Sequence, residues 1–477
     1  MNREFQNTIS PLDSRYRSLA PEYYETISDY LSEAANMMYY GRVEAALATA
    51  LSDFGVAPQD FGERVSAIVE ALPFSEVYEE ERRIQHNIRA LVNCIQRLLP
   101  EKHRPYVHLF ATSSDIIDTA RAVQYRAFAN SVLLPKFLDC TDLLYDLAKR
   151  HSNLPQVGRT HGRHAEPTTL GYWAAWHASR LEGRLHALHA SFGNLVGKLS
   201  GAVGTRAAIS LAIEDPGAFE VAVLCKLGLN PGRNELSTQI VQPEPLVDCL
   251  HAVTSSFGVL ASIADDFRHL MRSEISEIEE ADVPDRVGSS TMPHKINPKD
   301  FENVKSFWKT YMPRMTTCYM DQISEHQRDL TNSASQRFTN ELLAGFAFAT
   351  DRLSVAIRGT VINEGALRSN LQEGVSDVAS EPLYIALALK GVPRAHETVR
   401  QLAKMARETG TSIFTLARQD RSLAPMIRDL PERIADTLDR PGGYLGDAPQ
   451  KARAAADGWI KRREEWRSIG CGHNPKG

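Results

Sequence analysis

The chain has 477 residues, 43% of them hydrophobic and 24% charged, with a formal net charge of −5. These are the proportions of a soluble globular protein with length for about three domains, and the mild acidity speaks against the basic face that nucleic acid or an anionic membrane demands of a partner. The six cysteines are scattered without paired spacing, which predicts a reducing compartment, and a polar start with no long apolar run predicts the cytoplasm rather than a membrane.

In chain order, residues 1–111 read as short helices punctuated by Pro11, Pro58, Pro73, Pro100 and Pro105. A polar pair, Arg15-Tyr16, stands near the start. The run from His108 to Asp115 places the hydroxyls of Thr112, Ser113 and Ser114 where a helix begins, and the free N–H groups there favour an anion. Taken alone, the same run reads first as a plain helix cap.

Residues 112–362 carry the long helices. Val157 to Gly171 reads as a polar loop opening the helix that follows Pro167 and Thr168. His161 and His164 within it lack companions to complete a ligand set, so no metal is expected, and nothing calls for another cofactor. Leu181, Leu185, Leu188, Phe192 and Leu195 recur at helical spacing on one stripe of a helix between Trp173 and Leu199. Gly197-Lys198 with Gly201 and Gly204 hints at a phosphate loop but lacks its glycine spacing. Leu246, Leu250, Val253, Phe257, Leu260, Ala264, Phe267 and Met271 then sustain a second seam over about seven turns. The acidic stretch Ser276 to Ala281 continues that pattern as a solvated helix end.

Gly288-Ser289-Ser290-Thr291-Met292-Pro293-His294-Lys295-Ile296-Asn297-Pro298 is the densest polar segment of the chain. Its prolines and glycine forbid a regular helix or central strand. Lys295 and Asn297 can donate to a carboxylate, and Ser289 or Ser290 can take a proton beside it. Arg328-Asp329, readable as a surface ion pair, leads on to Ser333 and Arg337. After Glu364 short helices return, broken by Pro393, Pro425, Pro431 and Pro441-Gly442-Gly443. The expectation is an all-α chain of three helical domains, 1–111, 112–362 and 363–477, the middle one a long-helix bundle carrying a polar loop at 285–298.

The Gly288–Pro298 segment resembles the signature loop of the fumarase/aspartase superfamily. Arg159-Thr160-His161-Gly162, Ala165-Glu166-Pro167-Thr168-Thr169, Gly197 to Thr205, Ser237-Thr238-Gln239, Arg328-Asp329-Leu330 and Ser10 to Tyr16 resemble its adenylosuccinate lyase branch. That resemblance implies β-elimination of fumarate from adenylosuccinate and from the succinylated aminoimidazole carboxamide ribotide. It implies Ser289 as base and His161 as general acid, with His86 assisting. Lys295, Asn297, Thr112 and Ser113 would hold the succinyl carboxylates, Lys295 also steadying the Ser289 alkoxide, and Gln239 would orient the substrate. Arg15, Tyr16, Arg328, Ser333 and Arg337, joined by His108, would take the phosphate and ribose. It further implies a homotetramer in which three chains share each site. Asn87 stands where the branch has aspartate, and Arg163 where it has glutamine or an apolar residue. Another fumarate-releasing lyase of the superfamily, with a different succinyl or amino-acid substrate, is the alternative.

Overall fold

The computed structural model describes residues 8–230, 236–281, 291–292 and 294–470. Helices dominate, and the expected long seams form the centre of the fold. The second seam becomes one helix, Glu244–Leu270, which buries Leu250, Val253, Phe257, Leu260, Ala264 and Phe267. The first becomes Leu170–Gly193, which buries Leu181, Leu185, Leu188 and Phe192. These two pack on each other and on Leu134–Arg150, Lys299–Tyr311 and Thr339–Arg358. The ring of Phe267 stacks on Phe301 at a centroid distance of 4.9 Å, locking two of the helices face to face. Glu244–Leu270 is long and apolar enough to cross a bilayer by length and composition alone, but most of its apolar window is buried inside the bundle.

One apolar core runs from Leu12 to Ile357 and takes in Ala452, Ala456 and Trp459 of the last helix, Ala448–Gly470. A second, smaller core links Ala379 to Leu438. The closing helix of the expected 363–477 segment therefore lies against the central bundle, where Trp459 donates to Asp142 at 2.5 Å and stacks on Tyr145.

Two short antiparallel sheets interrupt the helices. Strands β1, Pro155–Thr160, and β2, Arg163–Thr169, form a hairpin across the segment expected as a loop. Its turn is His161-Gly162, with φ of 54° and 72°. Left-handed values at both central residues match the twist of a two-residue hairpin. The register slips between Val157 and Arg159. Gly158 sits in that slip, where a Cβ would meet the Glu166 carbonyl oxygen at 2.5 Å.

The second sheet pairs β3, Ile278–Glu280, with β4, Thr360–Ile362. This overturns the reading of Ser276 to Ala281 as a solvated helix end. The helix stops at Leu270, Ser276 turns to φ 51°, and Glu277 is wholly buried.

Candidate active site

The helix Ser113–Phe128 begins in the capping arrangement its sequence announces. Asp115 accepts from the Thr112 backbone N–H at 2.8 Å, and the Asp115 N–H returns to the Thr112 carbonyl at 3.0 Å. Asp115 does more than cap. It is wholly buried, ion-paired with Lys198, and accepts from the N–H groups of Ser200 at 3.0 Å and Gly201 at 3.2 Å. The Gly197–Gly204 stretch is thus a structural brace, with Lys198 also turned inward and 1% exposed. Ser200 in turn meets the Ser237 hydroxyl at 2.8 Å, and Asp118 accepts from Val241 N–H at 3.1 Å. The half-buried Gln239 is carried between these two ties, the first to the Gly197–Gly204 stretch and the second to the helix Ser113–Phe128.

His86 caps the helix Asn87–Leu98. Its Nδ1 accepts from Arg89 N–H at 3.2 Å, which leaves the ring proton on Nε2, directed at the Ser113 hydroxyl 3.4 Å away. Asn87 turns its carboxamide oxygen to the next N–H, that of Ile88, at 2.8 Å. His108 joins this end of the bundle through Glu44, 2.6 Å from its Nδ1. Burial works against the charged imidazole, but the Glu44 charge and hydrogen bond, helped by Asp115, raise its pKa above the ordinary histidine value.

Arg15 and Tyr16 lie on the short turn Leu12–Tyr16 and share a hollow with Lys299, Asp300, Asn303 and Arg352. Asn303 donates to the Tyr16 hydroxyl at 3.1 Å, and the Tyr16 ring lies 4.5 Å from Phe307. The arginine–tyrosine pair is therefore fastened to the helix Lys299–Tyr311 that follows the polar loop. Within that loop Ser289 lies outside the described residues, as do 282–290 as a whole and 293, while Lys295 is exposed and Asn297 half-buried.

The other arginines go elsewhere. Arg328 lines a cavity of 330 Å³ with Asp118, Arg121, Asp321 and Gln336 among apolar walls. Exposed Arg337 lines a different cleft, with Asn87, Arg82 and Arg121, and Ser333 is exposed. Arg121 bridges the two regions, donating to Gln336 at 3.0 Å. Asp329 does not pair with Arg328 as a surface ion pair. It folds back to accept from Thr331 at 2.6 Å and from the N–H of Glu325 at 2.7 Å, and the Thr331 bond first among these keeps its pKa low.

His161 stands apart at the exposed hairpin tip. Strand β1 of the hairpin is fixed by Glu277, which accepts from Arg159 at 2.6 Å, Gln156 at 2.7 Å and Asn370 at 2.9 Å. Gly162 and His164 line a cleft with Tyr172, Trp176 and Arg272, and none of the other candidate residues lines it. Within one chain, then, His86, Thr112, Ser113, His108 and Gln239 gather at one end of the bundle. Arg15 and Tyr16 keep company with the start of the loop's helix, and His161 belongs to neither group. Among the described residues no group of three or more His, Cys, Asp and Glu side chains could hold a metal ion.

Residues 14–309 match the family model described as Lyase, and residues 324–429 match the model described as Adenylosuccinate lyase C-terminal. An adenylosuccinate lyase of Pyrococcus abyssi is 32% identical over 473 residues, covering 96% of this chain and 98% of that one. The chain belongs to the adenylosuccinate lyase family. It is accordingly an enzyme of the fumarase/aspartase superfamily, a carbon–nitrogen lyase by family. An N-acetyl-S-(2-succino)cysteine lyase of Dickeya dadantii is also similar, 30% identical over 421 residues, covering 86% of this chain and 89% of that one. A fumarate lyase structure from Mesorhizobium sp. BNC1 shares the fold with a TM-score of 0.79 at 22% identity, covering 91% of this chain and 98% of that one.

Sequence reasoning did not reach Glu44, Asp115, Lys198, Glu277 or Asn303 as supports of this site. Asp115 carried a usable signal, the Thr-x-x-Asp spacing of a capping box. The others act through partners dozens of residues away, which no local pattern announces.

Proposed function

We propose that the enzyme eliminates fumarate from adenylosuccinate, giving AMP, and from the succinylated aminoimidazole carboxamide ribotide. The observation that carries this reading is the grouping of His86, Thr112, Ser113 and His108 at one braced helix start, in a chain whose relatives over nearly its full length include adenylosuccinate lyases.

The proton to be removed sits on carbon beside a carboxylate, and its loss places a second negative charge on that carboxylate. Ser289 takes this proton. Lys295 and Asn297, with Thr112 and Ser113, hold the resulting charge. The carbon–nitrogen bond then breaks, and His161 gives its proton to the leaving nitrogen. His86 supports that transfer or the substrate's orientation, Gln239 holds the substrate between base and acid, and Arg15, Tyr16, Arg328, Ser333 and Arg337 bind the phosphate and ribose.

Among the described residues these groups do not meet within one chain, and the dispersal favours a homotetramer whose sites each draw on three subunits. A hairpin tip that presents His161 outward suits delivery to a neighbour's site.

A second reading has its own support. The Dickeya dadantii relative is nearly as similar as the adenylosuccinate lyases and is named for a succinyl thioether. Asn87, lining the same cleft as Arg337, offers a neutral amide to the part of the substrate that lies there. The arginines favour a phosphorylated substrate. Incubating the purified enzyme separately with adenylosuccinate and with N-acetyl-S-(2-succino)cysteine, and following fumarate release, decides between them. Turnover of the thioether alone overturns the first reading. Ser289→Ala and His161→Gln should each lower kcat at least about 100-fold while the assembly stays intact.

A further inference from the structure

Glu44 lies in the middle of the helix Glu33–Asp53, 2% exposed, among Val43, Ala46, Leu47 and Ala48 of the main core. A carboxylate in such a place is retained only with a partner. Its partner is His108 Nδ1, at 2.6 Å and 64 residues away in sequence. The chain bends twice to deliver that imidazole: His108 and Phe110 both take left-handed φ values, 63° and 69°. Non-glycine residues hold such conformations where the surroundings over-determine them, and these cluster at functional sites.

We propose that Glu44 is a positioning residue of the elimination, fixing His108 from inside the fold so that a cationic Nε2–H faces the anionic part of the substrate. This rests on the reading that the His86–Ser113 end of the bundle binds an anionic succinyl nucleotide. The geometry sets the direction of the ring. With Nδ1–H donated inward to Glu44, Nε2 is the outward nitrogen, and among the described residues it makes no hydrogen bond. The side chain is 18% exposed, so one edge reaches the surface. The turn closed by Ala111 N–H on the His108 carbonyl at 3.3 Å carries the chain directly into Thr112 and Ser113.

The charged groups facing the imidazole are Glu44 and Asp115, which favour the cation, and Arg89, which opposes it. Asp115 is already committed to Lys198. Glu44 is therefore the group that keeps His108 charged above the pH at which an ordinary histidine gives up its proton. Its own burial keeps it from the substrate, and it acts only through His108.

Glu44→Gln retains the shape and one acceptor but removes the charge. At pH 7, just above the ordinary histidine value, the KM for adenylosuccinate should rise by up to about tenfold, the worth of one charge-assisted contact, with kcat within about threefold. Toward pH 5.5 the difference should narrow, as the imidazole takes up its proton even against its burial. A KM raised equally at both pH values overturns the proposal, because that is what a merely structural support gives. Glu44→Asp, which keeps the charge, should restore the wild-type pH profile.

The imidazole C–H resonance of His108, assigned by its disappearance in His108→Asn, gives a readout independent of turnover. Its titration should move to lower pH in Glu44→Gln. An unmoved titration refutes the role of Glu44 even if adenylosuccinate is the substrate, whereas absent turnover in the wild type refutes the substrate and leaves this titration to decide the pairing.

Discussion

Ser113 stands on a helix whose first turn is tied into the core by the buried Asp115–Lys198 pair, whereas His161 stands on the exposed turn of a hairpin fastened through the strand below it, at Gln156 and Arg159. At the first site the backbone itself is immobilised: Thr112, Ser200 and Gly201 all donate N–H groups to one carboxylate. At the second, Glu277 gathers Gln156, Arg159 and Asn370 below the turn and leaves the imidazole exposed. A group that binds the substrate's charge profits from rigidity, since preorganised donors need no rearrangement when charge develops. A group that reaches toward another chain profits from a tip that is free and a base that is not. Breaking each brace should therefore give a different signature.

The largest effect is expected at the helix start. Asp115→Ala leaves Lys198 buried without its counter-charge and strands three N–H groups, so stability should fall by about 3–5 kcal/mol. Urea denaturation measures this, and a loss below about 1 kcal/mol would mean that the pair is not the brace described. The double variant Asp115→Leu with Lys198→Met should recover only the share owed to the unpaired Lys198 charge, because the three N–H groups stay without an acceptor. It should not recover turnover, because the ties to Ser200 and Gly201 remain lost.

Glu277→Gln comes next. Both oxygens of Glu277 accept hydrogen bonds, Oε1 from Arg159 and Asn370 and Oε2 from Gln156, so the amide nitrogen of glutamine must face a donor whichever way it turns. A cost of about 2 kcal/mol follows. Because the strand that carries the turn shifts and the substrate contacts do not, kcat should fall on the order of 100-fold with KM nearly unchanged. Steady-state kinetics would break the comparison if KM rose instead, since that would make the hairpin a binding element.

The two regions also differ in how far the sequence announces them. Helical spacing from Leu181 to Phe192 and from Leu250 to Phe267 is a local property, and both helices form where it places them, as does the helix start at Thr112. The hairpin hides because Gly158 and Pro167 interrupt any alternation, while its turn uses His-Gly where Asn-Gly is the stronger signal. Ser276 to Ala281 misleads for a related reason. Its apolar and acidic spacing extends the helix on paper, but the strand Ile278–Glu280 is made by pairing with Thr360–Ile362, some eighty residues on. The site is legible as a set of residue types and illegible as an assembly. Arg15, Arg328 and Arg337 look alike in sequence and line three separate cavities in one chain.

Gly162→Ala tests the hairpin more gently. Gly162 has φ 72° and open space where the alanine Cβ would lie, so the cost is backbone strain alone, about 1 kcal/mol. The shift in melting temperature should be small, and kcat should fall far less than in Glu277→Gln. An effect on kcat as large as that of Glu277→Gln would show that the turn itself, rather than the strand below it, sets the position of His161.

The smallest effect contrasts both braces with a neutral one in the bundle. His177 is wholly buried and donates from Nε2 to Asp266 at 2.9 Å, while its Nδ1 has no hydrogen-bond partner among the described residues. Protonation would place an N–H at that orphan position. Burial accordingly lowers the pKa below the ordinary value, outweighing the hydrogen bond and charge of Asp266, which pull the other way. Below about pH 6.5 the unfolded chain then binds a proton that the native state refuses, so this contribution to stability is full above that pH and is lost as the pH falls toward the folded pKa. Denaturation midpoints between pH 7.5 and 5.5 should decline more steeply for the wild type than for His177→Gln, which keeps a donor to Asp266 but does not titrate. Parallel declines would mean that the buried imidazole accepts its second proton as readily as a free one, and that its orphan nitrogen finds an acceptor when it does.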